Sequence, residues 1–288
     1  MIFETHHRAI PERDAFFRRR SLRHELLRVV IFESSRLATD FQLLAAAVPF
    51  MSDHRGTQVT LILEGRGYFA SADARFVELR PGDGVLSDQL RLEPEGYGGA
   101  PCLAVVIEWT SDIAPAWRSP STKFHLSPAE IARAKIALAG ESAAELVGGL
   151  LELLRAHGLP FQRDVDLGLG SSGSMSRWPA VASPLGKAFS RLETSPCLTE
   201  LAAELGVSER QANRYAARCA PHAASFRDLM HDARVEAAIQ ALSLPRIPLE
   251  RVAALSGYRS AVALCHAFAR SGLPSPAQLS TMLRERWG

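Results

Sequence analysis

Between positions 25 and 110 apolar and polar residues alternate in short runs. ELLRVVIFES, FQLLAAAV, QVTLILEG, GYFAS, RFVELRPGD, GVLSDQLRLE and CLAVVIEW follow one another with little between them. Alternation with a period of two puts one set of side chains on each face of an extended chain, so each run is expected to be a β-strand. Gly, Pro and Asp separate the runs, as in GRG (65–67) and RPGDG (80–84). Many short strands with closely spaced turns predict a small antiparallel sandwich or barrel.

The pattern changes after Pro120, where apolar residues recur every three or four positions. SPAEIARAKIALAG offers Ser127 as a cap, Pro128 at the first helical position and Glu130 at the third, a helix-start signature. SAAELVGGLLELLRAHG continues with Leu146, Leu150, Leu153 and Leu154 at helical spacing and ends at Gly158-Leu159-Pro160. An antiparallel helical pair is expected over 121–165, either as a dimer contact or as a cover for one face of the sheet. LGLGSSGSMSRW then carries Gly168, Gly170 and Gly173 in a formal G-x-G-x-x-G. A pyrophosphate cradle needs a strand before those glycines and a helix after them, and Pro179 interrupts any early helix. A flexible linker over 166–178 is the better reading.

From 179 to 288 the pattern is helical with regular breaks. LTELAAELGVSERQANRYAAR reads as a short helix, a turn at Gly206, and a second helix opened by Ser208 and carrying a polar outer face. Thr199 or a neighbour is expected to cap the first of these. About fifty residues later IPLERVAALSGYRSAVALCHAFAR repeats the layout, with Pro248 and Leu249 opening a helix, Gly257 turning it and Ser260 capping the next. Between the copies DLMHDARVEAAIQALSL should form one long helix, with Leu229, Ala233, Ala237, Ile239 and Leu242 packing against both units. Two such units on one connecting helix can meet successive turns of one DNA face, about 34 Å apart.

Composition narrows the choice of class. With 288 residues and 47% apolar content the chain can build two cores. The longest apolar run, LLAAAVPFM, has nine residues, far short of the roughly 20 a spanning helix needs. The N-terminus MIFETHHRAIPERD carries no apolar signal core. Cys102, Cys197, Cys219 and Cys265 stand apart without metal or redox spacing, as expected of reduced thiols in a cytoplasmic protein. Net charge is +2, but 14 Lys/Arg against 9 Asp/Glu from Met175 onward leave that part at +5. The excess suits a polyanionic partner.

At these residues the sequence resembles the AraC/XylS transcriptional regulators. The resemblance covers Pro184 to Gly288 and rests on LAAELGVSERQANR, ARVEAAIQAL and IPLERVAALSGYRS…AFAR…SPAQLS. The last includes the second unit's Val252-Ala253 through Gly257-Tyr258 and the closing Ser275-Pro276. It implies a double-stranded DNA-binding domain that contacts or blocks RNA polymerase. The chain departs from the family where Gly272 precedes the usual glycine position, now Leu273. Ala216 stands where an aromatic residue is usual, and the loop CAPHAASFRD is longer.

Arg210, Asn213 and Arg214 fall at i, i+3 and i+4 and share one face. Arg pairs with the two acceptors of guanine and Asn with adenine, and the resemblance places base-reading residues at these three positions. Gln211 and Arg218 are expected as phosphate or flanking contacts. In the second unit Arg259, Ser260, His266 and Arg270 can hold phosphates, whereas Ala261, Val262 and Ala263 offer a thymine methyl contact but no hydrogen bonds.

HRGTQVTLILEGRGYFASADARFVELRPGDGVL, from His54 to Leu86, is similar to the cupin-like sensor domain of these regulators. Where cupin enzymes carry metal ligands this chain has Ser52, His54 and Gln58. One imidazole without a carboxylate is a poor divalent-metal site, so no metal, cofactor or catalytic residue is expected. An unidentified small effector remains open, and the Arg-rich FFRRRSLRHE (16–25) is expected to bind an acidic effector, face solvent or make a domain contact.

The fold expected is α+β: a cupin-like β-barrel or sandwich over 1–120, the helical pair over 121–165, the linker over 166–178, and an all-α double helix-turn-helix domain over 179–288. The function expected is a regulator acting as a homodimer or through an effector. Its rivals are a metal-independent cupin-type enzyme with a helical tail and a protein-interaction module that does not bind DNA.

Overall fold

The computed structural model describes residues 2–23, 27–40, 57–70, 76–88, 93–109, 122–140, 142–159, 184–219 and 224–287. The first part is an antiparallel sheet: β1 (Ile2–Ile10), β2 (Ala15–Arg23), β3 (Leu27–Ser34), β4 (Thr39–Asp40), β5 (Thr57–Ala70), β6 (Phe76–Leu79), β7 (Asp83–Asp88), β8 (Glu93–Trp109) and β9 (Thr122–His125). The strands run in the order β1-β2-β3-β8-β5-β7-β9, with β4 pairing β8 and β6 pairing β5. Residues 41–48, expected as a strand, lie outside the described residues, as does the Gly/Ser segment.

Covering both faces of this sheet explains why its central strands read as near-continuous apolar runs. On β3, Leu27, Val29 and Ile31 point to one core while Val30 and Phe32 point to another. On β8, Val105, Ile107 and Trp109 join the first group, and Cys102, Ala104 and Val106 the second. The first core is closed by α1 (Pro128–Ala139) and α2 (Ala143–Ala156), whose Leu146, Leu150, Leu153 and Leu154 are all buried in it. The helical pair therefore covers the sheet. Each of its helices starts with a reciprocal capping box, Ser127 with Glu130 and Ser142 with Glu145, which satisfies two otherwise orphaned N–H groups.

Two expected turns are built differently. GRG does not end a strand: β5 runs on through it, pairing with β8 throughout, and the register slips between Ile62 and Glu64 and again between Glu64 and Arg66. Gly65 sits at φ +76, so the glycine makes a bulge that bends one long strand. RPGDG is a turn, with Asp83 N–H donating to Arg80 O at 2.8 Å. It joins two strands that both pair with β5 at different stretches rather than with each other. β1 and β2 were not read from the sequence; in β2 the run Arg18-Arg19-Arg20 separates Phe17 from Leu22, which are buried in different cores.

The helical part comprises α3 (Pro184–Ser190), α4 (Leu198–Leu205), α5 (Glu209–Cys219), α6 (Phe226–Leu242), α7 (Leu249–Leu255), α8 (Ala261–Arg270) and α9 (Pro276–Trp287), with a 3-10 turn at Leu192–Thr194. The protein is thus an antiparallel β-sheet domain followed by a helical domain. Leu229, Ala233, Ala237, Ile239 and Leu242 of α6 are buried as expected. They divide between two cores: Leu229, Ala233 and Ala237 pack with α3, α4 and α5, while Ile239 and Leu242 pack with α7, α8 and α9. The second of these cores is continuous with the outer face of the sheet. No described helix is long and apolar enough to cross a membrane.

Candidate nucleic-acid interface

The two helix-turn-helix units close their turns with the same backbone bonds. Gly206 (φ +65) and Gly257 (φ +73) take the left-handed conformation after the first helix. Val207 N–H then donates to Ala202 O at 3.0 Å and Tyr258 N–H to Ala253 O at 2.8 Å, a C-terminal motif that favours glycine. Ser208 opens α5 in a capping box, donating from its N–H to Gln211 Oε1 at 3.1 Å while its Oγ accepts from Gln211 N–H at 3.4 Å. Ser260 opens α8, its Oγ accepting from Ala263 N–H at 3.2 Å. Thr199 does not cap α4: Cys197 holds that position without a side-chain bond, and Thr199 Oγ1 bonds Glu209 Oε1 at 2.6 Å.

Counting from these two serines sets the second helices in register. The second residue onward is Arg210 in α5 and Val262 in α8, the sixth is Arg214 and His266, and the tenth is Arg218 and Arg270. Steps of four keep each set on one helical face. Arg210, Arg214, Val262, His266 and Arg270 are exposed; the Arg218 side chain is not among those described. Arg210, Arg214, Arg259 and Arg270 have no hydrogen-bond or ion-pair partner among the described residues. In the same domain Arg191 and Lys187 are engaged on Glu204 and Arg251 on Glu12, whereas Arg227 and Arg246 are exposed and likewise without a side-chain partner among the described residues.

The other expected contact residues are placed differently. Asn213 is half-buried, and its Oδ1 accepts from Phe226 N–H at 2.8 Å. That bond satisfies an N–H of the first turn of α6 and ties the second helix of the first unit to the connecting helix. Gln211 is exposed, but its Oε1 is held by the Ser208 capping box. Ser260 is likewise a cap. Ala216 is fully buried, in the core that also holds Phe226, Leu229 and Met230 of α6. Gly272 (φ +69) ends α8, and Leu273 N–H donates to Phe268 O at 3.0 Å, so the glycine does its capping work one position early. Of the cupin ligand positions, Ser52 and His54 lie outside the described residues, and Gln58 is buried on β5.

A polar seam that the sequence did not reveal joins the sheet to the helical domain. Arg19 Nη1 reaches Glu236 at 3.4 Å, Arg8 bonds Gln240, and Gln240 Nε2 donates to Glu236 Oε1 at 3.3 Å. Ser190 Oγ accepts from His7 N–H at 3.1 Å, Ser243 Oγ from Ala38 N–H at 3.0 Å, and Glu12 Oε1 from Arg251 Nε at 2.5 Å. The Arg-rich strand β2 therefore makes a domain contact. Burial pushes Arg8 down to about 10, with Glu236 opposing and Arg19 reinforcing the shift. Burial also raises Asp232 to about 7, helped by Asp228 and Glu236 on the same helix. The available signal was Asp232-Glu236-Gln240 at spacing of four, a polar stripe on a helix judged only by its apolar residues.

No protein-family model matches the chain, and no curated protein sequence matches it. Solved structures give a faint likeness. ToxT from Vibrio cholerae is 11% identical, with 90% of this chain and 100% of that chain covered at a TM-score of 0.35. The same protein with an unsaturated fatty acid bound is 10% identical, with 93% and 100% covered at 0.36. A cupin superfamily protein from Desulfitobacterium hafniense is 13% identical over 31% of this chain and 72% of its own, at 0.23.

Proposed function

We propose that this chain is a sequence-specific double-stranded DNA-binding transcriptional regulator of AraC type, working in the cytoplasm. The observation that carries the reading is the pair of matched helix-turn-helix units whose second helices present exposed arginines, Arg210 and Arg214 on one and Arg270 on the other, without a partner among the described residues. An unpaired guanidinium held on a rigid helix is suited to phosphate and guanine. Within this reading Arg210 and Arg214 contact bases and Arg259, His266 and Arg270 hold phosphates. Ser208, Gln211, Ser260 and Asn213 position the helices, though the amide NH2 of Asn213 can still meet a base.

The division of labour follows: 1–120 as sensor, 121–165 as a dimer contact through the outer side of α1, where Ile136 is exposed, 166–178 as linker and 179–288 as the DNA-binding domain. A small effector or a change of dimer state acts through the seam on α6, and so on the relative placement of both units. RNA polymerase is the further partner the family resemblance implies.

The test is selection of the full chain from a randomised duplex pool at two salt concentrations. Enrichment of a defined sequence, with affinity that falls steeply in salt as counterions are displaced, is expected. No enrichment and no salt dependence would leave the helical domain as a protein-interaction module.

A further inference from the structure

Setting the two second helices in register exposes one unlike position. Where α5 carries Arg210, α8 carries Val262, and Val262 is 64% exposed. A β-branched side chain loses rotamer freedom in a helix, and at this exposure it recovers little by packing. Its helical neighbours on either side, Ala261 and Ala263, are small and half-buried, so neither of them shields Val262 from an approaching surface. The rest of the face is polar and cationic: Arg259 just before the cap, His266 one turn on and Arg270 two turns on, all exposed. An apolar group flanked by exposed arginines fits a polyanion that itself displays a methyl.

We infer that Val262 reads the 5-methyl group of a thymine in the major groove, making α8 a base-reading element and not only a phosphate clamp. The inference rests on the DNA-binding reading and deepens it. Thymine is the base whose major-groove edge presents a methyl, and apolar side chains are its natural contact. The first turn of the second helix is also the part that comes closest to base edges. The two units then divide the site by chemistry: guanidinium groups on hydrogen-bond acceptors in one half, an isopropyl group on a methyl in the other.

Replacing thymine by uracil removes that methyl and leaves every hydrogen-bonding group in place. The full chain is titrated against its selected duplex and against a series in which each thymine in turn is uracil. One position is expected to weaken binding about fourfold, the worth of one buried methyl, while the others stay flat. The Val262→Ala variant, changed at an exposed site, should keep the salt dependence and lose the sensitivity at that one position. A selected duplex indifferent to uracil everywhere overturns the inference and leaves the regulator reading standing. So does a Val262→Ala variant that retains the sensitivity. Failure to select any duplex removes the regulator reading, and this inference with it.

Discussion

Gly206 and Gly257 take the same left-handed conformation at the same station of the two units, yet a side chain meets different surroundings at each. A Cβ at Gly206 has open space around it, whereas one at Gly257 would stand 2.3 Å from Leu192 O in the 3-10 turn that packs with the first unit. Gly206→Ala should therefore lose about 1–2 kcal/mol, the cost of a non-glycine residue in that conformation. Gly257→Ala should lose more, about 3–4 kcal/mol, because backbone must also move. Thermal unfolding of the two variants checks the ranking, and equal losses would mean the second unit is not seated on the first. Asp232 gives a pH-dependent counterpart. Its folded pKa of about 7 lies above the usual 3.8, so the folded state binds the proton more tightly than the unfolded one. Its contribution is fully present below about 4 and is lost as pH rises through about 7. Asp232→Asn should raise the melting temperature at pH 8 and leave it nearly unchanged at pH 4. A shift of the same size at both values would assign the effect to packing.

At the scale of elements, each second helix depends on the serine that opens it. Ser208→Ala and Ser260→Ala should each lose about 1 kcal/mol, read by urea unfolding, with Ser208 the costlier because its Oγ both accepts from Gln211 N–H and donates to Gln211 Oε1. A ranking in the other direction would show that the Gln211 arm contributes little. These caps, the turns at Gly206 and Gly257 and the buried stripe of α6 were legible because capping and helical periodicity are local properties of sequence. The bulge at Gly65 was not: GRG is compatible with a turn or a bulge, and only pairing with β8 decides between them. Nor was the capture of Asn213 by Phe226 N–H, since the amide shares a helical face with Arg210 and Arg214 and only the placement of α6 turns it inward. Exposure of the arginines was legible, and so was the apolar character of Val262. That Val262 occupies the position of Arg210 follows from counting on from the two caps, Ser208 and Ser260, and the structure adds its exposure.

For the whole molecule, the seam between sheet and helices decides how the two units are held. Its Arg8 and Arg19 lie more than 200 residues from Glu236 in sequence, so the local pattern offers only the polar stripe of α6 and not the partners it meets. Breaking a buried ion pair by removing one partner costs far more than replacing both. Glu236→Ala should thus destabilise the protein by about 3 kcal/mol, and the double change Arg19→Met with Glu236→Met should recover most of the loss. The exposed pair Arg251–Glu12 should matter little by comparison. If Glu236→Ala costs under about 1 kcal/mol in urea unfolding, the seam does not fix the helical domain against the sheet.

The central claim is that α5 reads sequence from a DNA-binding fold, and affinity for selected and random duplexes tests it most directly. Arg214→Ala should weaken binding to the selected duplex by about 1–3 kcal/mol while barely changing binding to random duplex. Arg270→Ala should weaken both alike and flatten the salt dependence by about one phosphate contact. Equal losses on both duplexes for Arg214→Ala, or no loss on either, would contradict the claim that this helix reads bases.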